Sequence, residues 1–268
     1  MLYLKRSLWR HRTVLFILIV FLSMLLPSLL PVKASIQEGS LPSTTPAIAP
    51  PPNLAIPDEF RGKIIRKVSL ISDRQVIALT FDDGPTANIT PKVLDILKER
   101  KIKATFFVIG NHLKNFPELA QRLVAEGHAI GNHTWHHLRR LMNEFTATRE
   151  IEDTATLIER TTDIKTRLFR PPHGFLYNGL VDYAQKRKDA IILWSIDSDD
   201  WRGSKVSADY IVDKVLANVN PGAIILMHDG GGNRANTIKA LPKIIDSLNQ
   251  LGYEFVTIPQ LLQMGSGK

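Results

Sequence analysis

From position 76 onward the chain alternates short apolar runs with longer stretches in which apolar residues return every three or four positions. The short runs are rich in β-branched and aromatic residues. They read as strands over 76–81, 104–109, 128–130, 167–169, 190–196, 223–227 and 254–258. The longer stretches read as amphipathic helices over 146–160, 178–186, 207–218 and 236–251. Two more helices are marked by their ends. Thr90 followed by Pro91 reads as an N-cap and a first-turn proline. Pro117 opens the other, and Gly127 is suited to end it in a left-handed conformation. Strands alternating with helices pair in parallel through right-handed crossovers. The pattern predicts an α/β fold, a distorted (β/α) barrel with about seven parallel strands. An open doubly wound sheet is the alternative.

Ahead of this region the pattern breaks. Residues 35–63 are rich in Pro, Ser, Thr and Ala and predict an extended linker. Before them, a basic start precedes an apolar run of 18 residues over 13–30, and Val32 and Ala34 are small residues suited to cleavage after Ala34. The run is long for a cleaved signal and just long enough for a short membrane span. Residues 1–34 are therefore expected to be a signal peptide or a signal anchor, and 64–268 the catalytic domain. Either outcome places the domain outside the cytoplasm, secreted in the first case and held at the membrane in the second.

The 268 residues include no cysteine, which excludes thiolate nucleophiles and cysteine metal sites. The formal charge is +8, but Lys5, Arg6, Arg10, Arg12 and Lys33 supply five of it and leave +3 for the rest. Those remaining basic residues are scattered, with no aromatic-interleaved stripe, so no nucleic-acid partner is expected.

In parallel α/β folds, active sites lie at the carboxyl ends of the strands. Polar residues gather there in this chain: "DDGP" after the first strand, "GNHTWHH" after the third, "RPPHG" after the fourth, "DSDDW" at the fifth and "HDGGG" at the sixth. His133 and His137 are spaced i, i+4, which on a helical turn puts both rings on one face. With one carboxylate they make a site that Zn²⁺ and other divalent first-row ions accept. His136 is a competitor at i+3. Asp82 and Asp83 repel unless something positive neutralises them, and a cation could take one and leave the other as a base. Taken alone, "DDGP" is equally good turn chemistry.

"TFDDGP", "HTWHH", "RPPHG", "DSDDW" and "LMHD" occur in an order that resembles the polysaccharide deacetylase family, the NodB-homology group of carbohydrate esterases (family 4). The resemblance covers roughly 75–258. It implies Asp83, His133 and His137 as metal ligands, Asp82 as general base and His228 as general acid. Arg170 resembles the arginine that tethers the base, and Asp200 the residue that orients the catalytic histidine. Pro171, His173, Trp201 and Leu226 resemble the substrate pocket, the last two as walls for the acetyl methyl. One departure is visible. The third motif of the family reads R-P-P-Y-G, and here His173 takes the tyrosine position. The family uses that position's backbone N–H at the oxyanion, so the change leaves the donor in place.

Amide hydrolysis near neutral pH fits this set. A divalent ion, Zn²⁺ first and Co²⁺, Ni²⁺ or Mn²⁺ as alternatives, supplies a nucleophile and polarises the carbonyl. Histidine suits protonation of the leaving amine. The expected activity is removal of N-acetyl groups from N-acetylglucosamine-type residues of a cell-wall or extracellular polysaccharide, peptidoglycan or chitin-like, by a monomer. An O-acetyl, xylan-type esterase and a non-catalytic membrane-anchored glycan-binding protein are the alternatives.

Overall fold

A computed structural model describes residues 55–266. Its strands are β1 (Ile64–Ile65), β2 (Val76–Asp82), β3 (Thr105–Val108), β4 (Ala129–Asn132), β5 (Leu168–Phe169), β6 (Ala190–Ile192), β7 (Ile196–Asp197), β8 (Ile224–His228) and β9 (Glu254–Val256). The α-helices are α1 (Thr90–Glu99), α2 (Gly110–Asn115), α3 (Pro117–Ala125), α4 (Glu144–Thr162), α5 (Leu180–Lys186), α6 (Ala208–Leu216), α7 (Ala235–Gln250) and α8 (Ile258–Ser266). Every strand ladder is parallel, in the order β1-β6-β5-β4-β3-β2-β8-β7, with β9 also on β2.

The stretch 190–196 does not form the single strand that its apolar run predicts. Its first part, β6, pairs with β1 and β5 at one margin of the sheet, and β7 pairs with β8 at the other. Leu193 N donates to Ile65 O at 2.7 Å, and Ser195 N donates to Ile224 O at 3.1 Å. Three residues lie between Ile192 and Ile196, and the four steps from one to the other reach at most about 14 Å. The two margins of the sheet therefore meet here, and the sheet is a curled, distorted barrel rather than an open one. The residues between, Leu193–Trp194–Ser195, carry no ladder of their own.

β2 is buried along its whole length, as expected of a parallel strand covered on both faces. Successive side chains point to opposite faces. Ile77, Leu79 and Phe81 pack outward with Leu94, Phe106 and Ile245 in the layer beneath the helices. Val76 and Ala78 pack with Phe107, Leu168, Ile192 and Ile224 in the second cluster, inside the curl. The same alternation puts Thr80 and Asp82 on that inner face, so β2 delivers Asp82 to the carboxyl mouth of the barrel.

Thr90 does not act as an N-cap. It is the first residue of α1, behind Ile89, and its hydroxyl donates to Asp229 Oδ2 at 2.6 Å. Ser207 does cap α6, accepting from Tyr210 N. The segment 1–34 lies outside the described residues, as does most of 35–63. Within the latter, Ile56 is buried in the inner cluster, and Gly62 N donates to Asp189 O at 2.9 Å. Among the described residues no helix is long and apolar enough to cross a membrane.

Candidate active site

Asp82 ends β2 and is almost wholly buried. Its Oδ1 accepts from Arg170 Nη1 at 2.6 Å. Arg170, at 0% exposure, follows β5 and is held from every side. It donates to Thr80 Oγ1 at 2.9 Å, Ile192 O at 3.0 Å and Leu193 O at 3.2 Å, and its guanidinium lies 4.1 Å from the Phe107 ring centroid. Burial draws the Arg170 pKa down and the Asp82 carboxylate opposes it. An arginine side chain does not lose its proton in proteins, so Arg170 faces Asp82 as a cation.

Asp83 leaves the strand with a φ of 72°, and both acids reach His133 Nε2, Asp82 through Oδ2 and Asp83 through Oδ1, each at 3.6 Å. Its carbonyl accepts from His112 Nδ1 at 2.8 Å. Its Oδ1 lies 3.6 Å from His133 Nε2 and 3.4 Å from His137 Nε2. One donor atom from each of the three residues falls within 4.8 Å of the others.

The two histidines do not share a helical turn. The segment 133–137 is irregular, with φ of 69° at Thr134 and 56° at His137. The turn brings the rings to 4.8 Å between centroids. Thr134 Oγ1 accepts from His137 N at 3.0 Å, and Asn132 Oδ1 accepts from Thr134 N at 2.8 Å. His136 points away and meets Glu150 Oε1 through Nδ1 at 2.6 Å.

This set fits a cation. Asp83 Oδ1 is buried and has no hydrogen-bond partner. His133 Nδ1 donates to Arg170 O at 2.7 Å, which leaves the Nε2 lone pair facing the acids. Burial, and then the neighbouring His137 ring, hold His133 well below the usual histidine pKa, in the neutral form a metal ligand needs.

His228 ends β8 directly opposite Asp82 in the ladder. Its Nδ1 lies 2.7 Å from Asp200 Oδ1, and its N–H donates to Asp200 Oδ2 at 2.9 Å. Thr237 Oγ1 also donates to Asp200 Oδ2, at 2.9 Å. Burial pushes the His228 pKa down, but the Asp200 charge and hydrogen bond, backed by Asp82 and Asp83, raise it to about 9. Asp200 is the acid of "DSDDW" that faces the histidine. Asp199 turns outward to Tyr210 and Lys214.

Asp82, Asp83, His133, His137 and His228 line one cavity of about 610 Å³ with His173, Trp201 and Leu226. Trp201 is 53% exposed and Leu226 is buried. The His173 ring packs edge-on against His137 at 4.6 Å, and its residue holds a φ of 58°. Pro171 departs from expectation: it is buried within its turn and lies outside the lining. The lining also holds Arg139, Phe175, Trp194, Asp197, Gly231 and Arg234. Asp197 stands within a quoted motif and Trp194 at the break in a strand, but neither carried a distinguishing signal. Arg234 gave none, because its place depends on carbonyls of its own loop and of a distant one: Gly231 O at 2.9 Å and Trp201 O at 3.3 Å.

Known proteins share this fold. The polysaccharide deacetylase family model matches residues 71–189. A peptidoglycan-N-acetylglucosamine deacetylase of Bacillus cereus is 41% identical over 189 residues, 70% of this chain and 68% of that one. The crystal structure of the Bc1960 peptidoglycan N-acetylglucosamine deacetylase superposes with a TM-score of 0.71 at 38% identity, covering 76% of this chain and 94% of that one. A family 4 acetyl xylan esterase from Clostridium thermocellum, solved with a cobalt ion, gives a TM-score of 0.66 at 34% identity, covering 70% and 91%. With five motifs in order, a curled parallel barrel and relatives matched over most of their length, the chain belongs to the polysaccharide deacetylase family.

Proposed function

We propose that this enzyme removes N-acetyl groups from N-acetylglucosamine-type residues of a cell-wall or extracellular polysaccharide, peptidoglycan or chitin-like. The observation that carries the reading is the convergence of Asp83, His133 and His137 within 4.8 Å, beside an Arg170-bound Asp82 and across from His228.

Asp83, His133 and His137 would hold a divalent ion, with Zn²⁺ favoured by the two-imidazole, one-carboxylate set and Co²⁺, Ni²⁺ or Mn²⁺ compatible with it. When bound, the ion supplies Lewis-acid polarisation of the acetyl carbonyl and acidification of the attacking water. Asp82 takes the proton released as water adds to the carbonyl, and Arg170 keeps that carboxylate aimed. The N–H of His173, which no protein acceptor takes among the described residues, faces the role of oxyanion donor. His228 then gives its proton to the sugar nitrogen, the C–N bond breaks, and acetate and a free amine leave. A pKa of about 9 keeps His228 charged for that step at neutral pH, and Asp200 holds its Nδ1. Trp201 and Leu226 would flank the acetyl methyl.

The export or anchor segment over 1–34 would carry this monomeric domain across the membrane to its polymer. An O-acetyl esterase activity is the second reading, motivated by the likeness to the acetyl xylan esterase. Acetate release from purified peptidoglycan, chitin oligomers and acetylated xylan, each with and without chelator, tests both. N-acetylated polymers should release acetate, and chelator should stop it. Release only from xylan would favour the esterase, and release unaffected by chelator would overturn the metal reading.

A further inference from the structure

The turn between the two histidines leans on a single acid from a distant helix. Glu150 lies on α4, is 4% exposed, and reaches across to residues 135 and 136. Its Oε2 accepts from Trp135 N at 3.0 Å and from His136 N at 2.8 Å, while Oε1 meets His136 Nδ1 at 2.6 Å. Among the described residues no other charged side chain hydrogen-bonds the backbone of 133–137. The same turn holds two non-glycine residues at positive φ, Thr134 and His137. Such backbone persists only where its surroundings over-determine it.

Resting on the reading of Asp83, His133 and His137 as a metal site, we infer that Glu150 is the positioning residue that fixes the spacing of the two imidazoles and so sets the affinity for the ion. It touches neither the ion's ligand atoms nor the catalytic cavity. It acts by holding the two N–H groups that lie between the ligands, and charge-assisted hydrogen bonds of this kind are about twice as strong as neutral ones. On its far side Glu150 lines a separate cavity of about 840 Å³, with Trp135, His136 and Phe145. Water can therefore reach the freed N–H groups when the side chain is shortened, so a truncated variant has a route to fold.

The test measures Zn²⁺ affinity by chelator competition and the d–d absorption of the Co²⁺-loaded protein. The wild type is compared with Glu150→Ala, Glu150→Gln, Glu150→Asp and His136→Ala. Supporting partners of metal ligands typically account for 10–100-fold in affinity. Glu150→Ala is expected to weaken Zn²⁺ by about that factor and to alter the Co²⁺ spectrum. Glu150→Gln keeps one oxygen for the Trp135 and His136 N–H groups and should stay within about threefold of wild type. His136→Ala, which removes only the ring contact, should do the same. Should Glu150→Ala precipitate, Glu150→Asp takes its place, with a loss of about fivefold or more because its carboxylate is one methylene short. Wild-type affinity in the shortened variant would overturn the inference alone. A wild-type protein that binds neither ion would overturn the metal-site reading and the inference with it.

Discussion

Arg170 Nη1 lies 2.6 Å from Asp82 Oδ1 with the guanidinium wholly sealed from solvent, so the carboxylate proposed as the base at the mouth of the barrel is wired to its floor. The arginine hydrogen-bonds Thr80 of β2 and the carbonyls of Ile192 and Leu193, the residues where the sheet margins meet. Catalytic geometry and barrel closure thus depend on one side chain.

Substitution of Arg170 should therefore damage rate and stability together. Arg170→Gln removes the cation and leaves Asp82 buried without a counter-charge, a change that destabilises by about 3–5 kcal/mol. kcat should fall by about 100-fold or more as the base loses its aim. Arg170→Lys keeps the charge but cannot make the forked contacts at once, so it should fall between the two. Steady-state kinetics and urea unfolding of the same preparations check this. A glutamine variant with near-normal kcat would contradict the tethering.

The placement of the motifs at the strand ends singled out Asp82, Asp83, His133 and His137 in the sequence, because a parallel barrel collects its carboxyl ends on one rim, whereas Asp200 and His228 were singled out by the family resemblance. What joins them was less legible. The i, i+4 histidines suggested a helix, yet Thr134 and His137 adopt positive φ, stabilised by Glu150 from a helix whose residues give no hint of that contact. The run 190–196 is apolar apart from Ser195, and one serine does not by itself mark the change of partner at Leu193. Ile56 looked like linker because its neighbours are prolines, but packing is decided by what the residue meets in three dimensions, here the inner cluster. Pro171 travelled with its motif although His173, two residues on, is the part of that motif that lines the cavity.

His228 gives a pH signature. Its pKa in the fold is about 9, against 6.5 as the ordinary value, so the folded state holds the proton more tightly than the unfolded chain. For the metal-free protein this contributes stability that is complete below pH 6.5 and is lost as pH rises through about 9, at most about 3 kcal/mol. In its proposed role as general acid it should also set the alkaline limb of the rate profile. Asp200→Asn removes the charge that raises it and should move that limb toward neutral pH. Rate–pH profiles of both proteins decide the point, and an unmoved limb would assign the alkaline pKa to another group.

His128 works in the opposite direction. It is buried, its Nδ1 accepts from Ala104 N at 3.1 Å, and its Nε2 has no partner. Burial, then the charges of Lys103 and Arg122, lower its pKa to about 3. The unfolded chain takes up a proton below pH 6.5 that the fold refuses, so stability is complete above 6.5 and falls as pH drops toward 3. At pH 4 the loss should reach about 3 kcal/mol. His128→Asn keeps an acceptor for Ala104 but cannot be protonated. Its urea midpoint should therefore decline less between pH 7 and pH 4 than the wild type's, and parallel declines would show that other groups govern the acid limb.

Gly231 offers a way to disturb the proposed ligand set from outside it. It holds a φ of 71°, and a Cβ at this position would sit 2.3 Å from Asp83 Oδ2, a distance no side chain tolerates. The other oxygen of that carboxylate is the one 3.4 Å from His137 Nε2 and 3.6 Å from His133 Nε2. Gly231→Ala must therefore rotate Asp83 or displace the loop, and Zn²⁺ affinity should fall by about tenfold or more. The positive φ alone would also destabilise by about 1 kcal/mol, which on its own could be mistaken for the effect. Gly252 separates the two contributions, since its φ is 81° and a Cβ there meets nothing within 4 Å. Gly252→Ala should lose similar stability yet bind Zn²⁺ as the wild type does. Equal affinity losses in both variants would trace the effect to backbone strain and remove Asp83 from the explanation.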